Sequence, residues 1–103
     1  CLIPATIYFE WEKRGKEKIK YAIRQADAGL LYIAGLYRVE NGRAVFTILT
    51  REPAEQIRFI HDRMPVILTS DAKQDWLNLD CDAAQTLAQA CENVAFCAGD
   101  VSC

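Results

Sequence analysis

Hydrophobic and polar residues alternate along the first half of the chain. Residues 7–12 change character at every position, and this period of two predicts a β-strand. The same alternation returns over residues 19–25, after a polar turn around Gly15. Residues 30–39 are apolar on both faces for most of their length, which is typical of a central strand covered on each side.

Turn-forming residues separate these segments. Asp27-Ala28-Gly29 marks one turn. Asn41-Gly42 predicts a tight hairpin, because both central positions of a type I′ turn need a positive φ. Residues 43–50 then return as a strand rich in β-branched and aromatic side chains. Four strands joined by short turns predict an antiparallel meander, as part of a barrel-like sheet.

The second half loses the period of two, and its predicted elements are shorter. In order they are a helix opened by Glu52-Pro53, a strand over 64–68, a helix capped by Thr69 or Ser70 and running to about Leu79, a helix capped by Asp80 or Asp82 and running to about Glu92, and a strand over 94–97. Sheet early and helices late predict the α+β class. At 103 residues, one domain spanning 1–103 is expected.

Composition narrows the setting in which the protein acts. No apolar run approaches the roughly 18 residues that cross a bilayer, and no stretch resembles a secretory signal. We therefore expect a cytoplasmic protein. The first residue is Cys1 and not methionine, which suggests a chain that is processed or cut from something longer.

Charge is distributed unevenly. Residues 1–51 hold nine Lys or Arg against five Asp or Glu, whereas residues 52–103 hold three against nine. Five basic residues fall within 13–20. Such a patch can contact phosphates even in an acidic chain, although a solvated hairpin tip explains the same run of charge.

The five cysteines do not indicate a metal site. Their number is odd and they include no CxxC pair, so a zinc site is only a minor alternative. Without a secretory signal we expect reduced thiols. No cofactor and no metal are predicted.

Two residues could carry proton transfer. Glu10 lies between Phe9 and Trp11, where aromatic neighbours can desolvate a carboxylate; alternatively it faces water on the polar side of its strand. His61 is the only histidine and falls between a helix and a strand, where loops often present functional side chains. A helix-capping histidine is the alternative.

Three more residues could contact DNA or support the site. Trp11 can stack on an unpaired base or pack in the core. Arg63 can bind phosphate oxygens or pair with Asp62 or a helix carboxylate. Thr50, eleven residues before His61, could support the site. The alternative is an ordinary hydroxyl at the end of a strand.

Three segments carry a resemblance to a known family. They are Cys1-Leu2-Ile3-Pro4-Ala5 with Tyr8-Phe9-Glu10-Trp11; Ile33-Ala34-Gly35-Leu36-Tyr37; and Thr47-Ile48-Leu49-Thr50 with Ile60-His61-Asp62-Arg63-Met64-Pro65. Trp76-Leu77 and Asp100-Val101-Ser102 fit more weakly. In order and spacing these segments resemble the SOS response-associated peptidase family, whose domain is roughly twice as long.

The resemblance implies a DNA damage response function on single-stranded DNA that carries abasic sites, and association with the nucleoid when the protein is bound to DNA. In the family, an N-terminal cysteine closes a thiazolidine ring with the abasic aldehyde and so forms a covalent protein–DNA linkage, which is lyase-type chemistry. The same cysteine removes the starting methionine, which is a thiol autopeptidase (hydrolase) activity. The matching positions imply that Glu10 and His61 are catalytic, that Thr50 supports the site, and that Arg63 contacts the DNA backbone.

The family's nucleophile has no counterpart in this alignment. Cys1 is followed by a sequence that resembles an internal family segment, so we expect the N-terminal half of the domain to be supplied by another segment or a second chain. Thr6-Ile7 also replace the family's usual Asp-Gly, which puts the local turn in doubt. A non-catalytic single-stranded DNA-binding module and a degenerate structural fragment are the competing interpretations.

Overall fold

The computed structural model describes residues 1–27, 29–78, 82–92 and 94–99. Within these ranges the strands are β1 (Leu2–Ala5), β2 (Tyr8–Arg14), β3 (Glu17–Gln25), β4 (Leu31–Glu40), β5 (Arg43–Ile48), β6 (Thr50–Arg51), β7 (Met64–Pro65) and β8 (Val94–Ala98). The helices are α1 (Ser70–Leu77) and α2 (Ala83–Leu87), and a 3₁₀ turn covers Glu55–Ile57. The predicted α+β class with antiparallel sheets is confirmed.

The four strands predicted in the first half all form, but they belong to two sheets. One sheet has the order β2-β3-β8 and the other has the order β1-β4-β5. The sequence reading missed β1, which pairs with the first half of β4. Because β2 and β8 occupy both edges of β3, and β1 and β5 both edges of β4, the two middle strands do not pair. A continuous meander is therefore broken at this junction, and the sheets do not close.

The predicted turns have the expected geometry. Asn41 and Gly42 both adopt a positive φ, of 49° and 77°, as a type I′ turn requires. Gly15 turns the first hairpin with a φ of 64°. Neither Thr6 nor Ile7 has a positive φ, so the bend after β1 forms without the glycine that is usual in the family.

The helices of the second half are shorter than predicted. The side chain of Thr69 caps α1 by accepting from the Ala72 N–H at 3.2 Å, and Asp82 caps α2 by accepting from Gln85 at 3.1 Å. The segment after Pro53 makes only the 3₁₀ turn, since no side chain caps it at Ala54. The predicted positions Leu79, Asp80, Asp100, Val101 and Ser102 lie outside the described residues.

The predicted strand over residues 64–68 holds the two halves of the chain together. Its first part pairs with β6. Backbone bonds then join Ala34 N to Val66 O at 2.9 Å, Leu68 N to Tyr32 O at 2.8 Å and Val66 N to Leu49 O at 2.9 Å. Ile67 is fully buried. This segment therefore runs along β4 as part of the core.

Two apolar clusters form the core. The larger joins both sheets to the segments around it: Tyr21, Ile23, Leu31, Ile33, Ala54, Ile57, Ile60, Met64, Ile67, Cys91 and Val94. The smaller surrounds α1: Ala34, Val66, Leu68 and Ala72. Between them these clusters fix the path of residues 60–68.

The outer half of the β4–β5 hairpin remains uncovered. Tyr37, Val39 and Phe46 are each about two-thirds exposed, at 65%, 66% and 64%, and Leu36 on the opposite face is 51% exposed. An open cavity of about 550 Å³ lies over this hairpin. This hairpin therefore presents an open apolar face to solvent.

The structure bears on two expectations drawn from composition, the state of the cysteine thiols and the membrane-spanning segments. Cys97 is disulfide-bonded, so the expectation of reduced thiols is wrong for that residue. Among the described residues, no helix is long and apolar enough to cross a membrane.

Gly35 lies where neighbouring atoms of the β1-β4-β5 sheet leave no room for a side chain. A Cβ added there would lie 2.5 Å from Ile3 Cδ1 and 2.9 Å from the backbone oxygen of Thr47. We predict that Gly35→Ala lowers the free energy of unfolding by about 1–3 kcal/mol, because the strand oxygen cannot move aside cheaply. Chemical denaturation measures this. Gly29→Ala is the control, since its Cβ would meet only Gln25 Oε1 at 3.6 Å; an equal loss in both variants would contradict the prediction.

Tyr8 buries a hydroxyl group that has no partner among the described residues. Burial, and secondarily the Glu10 carboxylate, raise the pKa of Tyr8 far above its ordinary value, so the phenol stays neutral in the folded protein. The unfolded phenol ionises near its ordinary pKa of 10.0, and the stability that depends on the neutral form is lost as the pH rises above that value.

We therefore predict two effects of Tyr8→Phe. At neutral pH the variant should gain about 1 kcal/mol in the free energy of unfolding, because a buried polar group without a partner is removed. Between about pH 9 and pH 11 it should lose less stability than the wild type. Denaturation curves across this pH range measure both effects. Destabilisation at neutral pH would mean that the hydroxyl has a partner.

Candidate active site

The β2–β3 hairpin sorts its side chains by charge onto two faces. Successive residues of a strand point to opposite faces, and the register pairs Glu10 with Tyr21 and Trp11 with Lys20. Glu10 and Glu12 therefore share one face, and their exposure is intermediate, whereas Phe9 and Trp11 on the other face are exposed. The carboxylate face is the one that turns toward the core.

Of the two carboxylates on that face, Glu12 is the more engaged. Its Oε1 accepts from Arg14 Nη2 at 2.8 Å and from the Tyr21 hydroxyl at 3.4 Å. Glu10 Oε1 accepts only the neighbouring Trp11 N–H, at 3.2 Å, among the contacts of the described residues. Glu10 thus keeps most of its acceptor capacity for a group that enters from outside.

His61 is held by the turn that leads into β7. Its Nδ1 accepts the Arg63 N–H at 3.1 Å, so in the neutral ring that carries this bond the proton sits on Nε2. The same Nδ1 lies 3.3 Å from the Arg63 carbonyl oxygen and 3.2 Å from Asp62 Oδ1. When the ring is protonated, these oxygens can accept from Nδ1–H. The turn therefore offers hydrogen-bond partners to both protonation states of the ring.

Thr50 and Arg63 form one unit beside this turn. Arg63 Nε donates to Thr50 Oγ1 at 3.2 Å, and Nη2 donates to the Thr50 carbonyl at 2.8 Å. The arginine is therefore bound to neither Asp62 nor a helix carboxylate within the described part of the chain. It anchors the residues after His61 to β6 and stays exposed.

The structure brings Glu10 and His61 to one cavity. An open cavity of about 250 Å³ is lined by Glu10, Trp11, Lys13, Lys18 and His61. Thr50 and Arg63 lie outside this lining and connect to it through His61. Sequence reasoning did not select Lys13 and Lys18 as site residues. In the structure both project from the same face of the hairpin as Trp11, and they are paired directly across the two strands.

Cys1 lies in the other sheet, away from this lining. Its amino group donates to the Gly35 carbonyl at 2.8 Å. Its carbonyl accepts from Gly35 N at 3.0 Å and from Trp76 Nε1 at 2.9 Å. These bonds extend the β1–β4 ladder by one residue, so both backbone groups of Cys1 are engaged as in an interior strand position.

The described residues contain no group of three or more His, Cys, Asp or Glu side chains arranged to hold a metal ion. The chemical resources of the cavity are one carboxylate, one imidazole, one indole and two ammonium groups. Such a set can transfer protons and can bind an anionic, ring-bearing ligand.

Comparisons with known proteins identify the family. The SOS response associated peptidase (SRAP) family matches residues 1–102. Abasic site processing protein YobE of Bacillus subtilis is 42% identical over 96 residues, which cover 84% of this chain and 44% of YobE. Abasic site processing protein YMR114C of Saccharomyces cerevisiae is 31% identical over 84 residues, covering 78% of this chain and 23% of that protein.

A solved structure has the same fold. A protein from Bacteroides thetaiotaomicron superimposes with a TM-score of 0.81 at 29% identity, covering 95% of this chain and 48% of that one. The chain spans less than half the length of these relatives. Since the family match extends over nearly all of its residues, this chain belongs to the SOS response associated peptidase family.

Proposed function

We propose that the cavity lined by Glu10 and His61 receives the deoxyribose of an abasic site in single-stranded DNA. The observation that carries this proposal is that a carboxylate from β2 and the only histidine, fifty-one positions apart, line one cavity. The relatives named as abasic site processing proteins support the substrate class. The exposed aromatic and basic residues at the rim favour a single strand, because unpaired bases can stack there.

Abasic deoxyribose exists as a closed hemiacetal and as an open aldehyde. Opening moves the C1′ hydroxyl proton to a base and delivers a proton to the ring oxygen as the C1′–O4′ bond breaks. Glu10, with free acceptor capacity, suits the role of base. His61, with partners for both protonation states, suits the delivery and later recovery of the second proton.

The covalent step needs an aminothiol. The amine nitrogen adds to C1′, the former aldehyde oxygen leaves as water, and a C=N bond forms. The thiol sulfur then adds to the same carbon while its proton moves to the nitrogen, which closes a thiazolidine. Glu10 would orient the amine and accept its proton; His61 would protonate the departing oxygen.

We propose that this aminothiol comes from sequence outside these 103 residues. The amine and carbonyl of Cys1 are hydrogen-bonded in the β1–β4 ladder. Cys1 is also absent from the lining of the cavity. YobE, of which this chain covers 44%, has room for a separate nucleophile segment. The same thiol, with Glu10 and His61, would also carry the autopeptidase reaction.

A non-catalytic single-strand binding module is the second candidate function. The lysine and aromatic face of the hairpin favours it, because that face needs neither Glu10 nor His61 to bind a strand. The two functions differ in one respect. Only the catalytic one makes covalent product formation depend on these two side chains.

We predict that this chain alone forms no covalent adduct with single-stranded DNA carrying an abasic site. The reason is that Cys1 is held in the sheet and away from the cavity. Denaturing gel electrophoresis after incubation measures adduct formation. A crosslinked band that disappears in Cys1→Ser would instead identify Cys1 as the nucleophile.

A fusion tests the catalytic roles directly. We predict that joining the N-terminal half of a Bacillus relative to Cys1 of this chain restores adduct formation. Glu10→Gln or His61→Gln in that fusion should slow the reaction about 10²-fold or more, the usual loss when a general acid or base is removed. The measurement is the rate at which the crosslinked band appears.

Glu52→Gln provides the matched control, since it removes a carboxylate that is exposed and lies outside the lining of the cavity. It should react at the rate of the parent fusion. Adduct formation that is insensitive to both Glu10→Gln and His61→Gln would contradict the proposed roles and favour the binding module.

A further inference from the structure

The outward face of the β2–β3 hairpin collects cations without carboxylates. Lys13 is paired directly with Lys18, and Trp11 with Lys20. The carboxylates of Glu10, Glu12 and Glu17 project from the opposite face, by the alternation of the strands. No ion pair of Lys13 or Lys18 exists within the described residues. Like charges directly opposite each other destabilise a sheet, so this arrangement costs stability unless an anion lies between them.

Aromatic rings continue this face. Phe9 and Trp11 are 40% and 43% exposed, and Lys20 Nζ lies 4.3 Å from the centroid of the Phe9 ring and 5.7 Å from that of Trp11. These cation–π contacts hold the two rings side by side. Exposed ring faces next to cations are the combination with which proteins bind single-stranded nucleic acid.

The face and the cavity are continuous. Trp11, Lys13 and Lys18 of this face line the cavity, and so do Glu10 and His61. Because Glu10 projects from the opposite face, the cavity is open to both faces of the hairpin. Trp11 and Lys13 are two residues apart on one strand, which is about 7 Å. A strand that places its sugar in the cavity can therefore reach both lysines with the next phosphate.

We propose that Lys13 and Lys18 together form a phosphate-binding subsite for the nucleotide adjacent to the abasic sugar, with a base of the same strand stacked on the Phe9–Trp11 surface. The subsite rests on the proposed function for its substrate. It makes a separate claim, namely that the backbone charge of the DNA is neutralised here by a cross-strand lysine pair and not by the basic run of residues 13–20 as a whole.

Salt dependence of binding tests this subsite. Fluorescence anisotropy with labelled single-stranded DNA, with and without one abasic site, gives the affinity of this chain as a function of salt. Each phosphate contact on a single strand contributes about 0.7 to the slope of log affinity against log salt. The double variant Lys13→Gln/Lys18→Gln should therefore lower the magnitude of the slope by about 1.4, equivalent to about 25-fold weaker binding at 0.1 M salt.

A charge-matched control separates the subsite from general attraction. Lys16→Gln/Arg43→Gln removes the same charge from two exposed positions, one in each hairpin, and should change the slope by less than half as much. The Lys13/Lys18 variant should also melt no lower than the wild type, because it relieves a repulsion. A loss of binding is then not a loss of folding.

Trp11→Leu tests the stacked base. It removes the ring but no charge, so affinity should fall about tenfold while the salt slope stays that of the wild type. If the wild type binds and both lysine double variants have the same slope, the subsite is wrong and the proposed function stands. If the wild-type chain does not bind single-stranded DNA, the subsite is wrong, and adduct formation by the fusion decides the proposed substrate class separately.

Discussion

The geometry of the site depends on the backbone hydrogen bonds that fasten residues 66–68 along β4. Ala34, Tyr32 and Leu49 all bond to this short segment, and its side chains are buried on both sides. Buried backbone groups must find partners, and few alternative paths satisfy them all. The turn that carries His61 leads through β7 into residues 66–68. The position of the imidazole therefore depends on hydrogen bonds to β4 that lie several residues further along the chain.

The second element of the site is fixed by a different rule. The alternation of β2 and the register set by β3 turn Glu10 toward the core face. A slip of one residue would turn Glu10 outward and bring Trp11 to the core face. Tyr8 and Tyr21, packed with the larger apolar cluster, oppose such a slip. The aromatic contacts of Tyr21 with Phe59 and Phe96 add a link from this hairpin to the residues before His61.

Much of the fold follows from local patterns in the sequence. The period of two located β2 and β3, Asn41-Gly42 located the second hairpin, and Thr69 and Asp82 located helix starts, because each signal acts within a few residues. The split into two sheets did not follow, since it depends on β1 and β8 taking strand edges that lie far away in sequence. Pairing between distant segments leaves no local pattern to read.

The candidate site was predicted in the same partial way. Glu10 and His61 were selected by their motifs, whereas the cavity that both line joins segments fifty-one positions apart and leaves no local pattern in the sequence. The tie between Thr50 and Arg63 was missed, because the sequence offered an acidic neighbour, Asp62, as the obvious partner. The pairing of Lys13 with Lys18 was also missed, since a run of lysines looks uniform until the register separates its members by face.

The uncovered β4–β5 hairpin has a consequence for the protein in solution. Strand β5 is an edge strand of its sheet, so its outer backbone groups are available for pairing with another strand. The exposed apolar side chains beside them would stabilise such a contact. Arg38, Glu40 and Arg43 near the tip are the charged residues that oppose indiscriminate stacking. At high concentration this edge is where one molecule would associate with another. The tendency of the protein to aggregate will therefore depend on a few residues that lie away from the candidate active site.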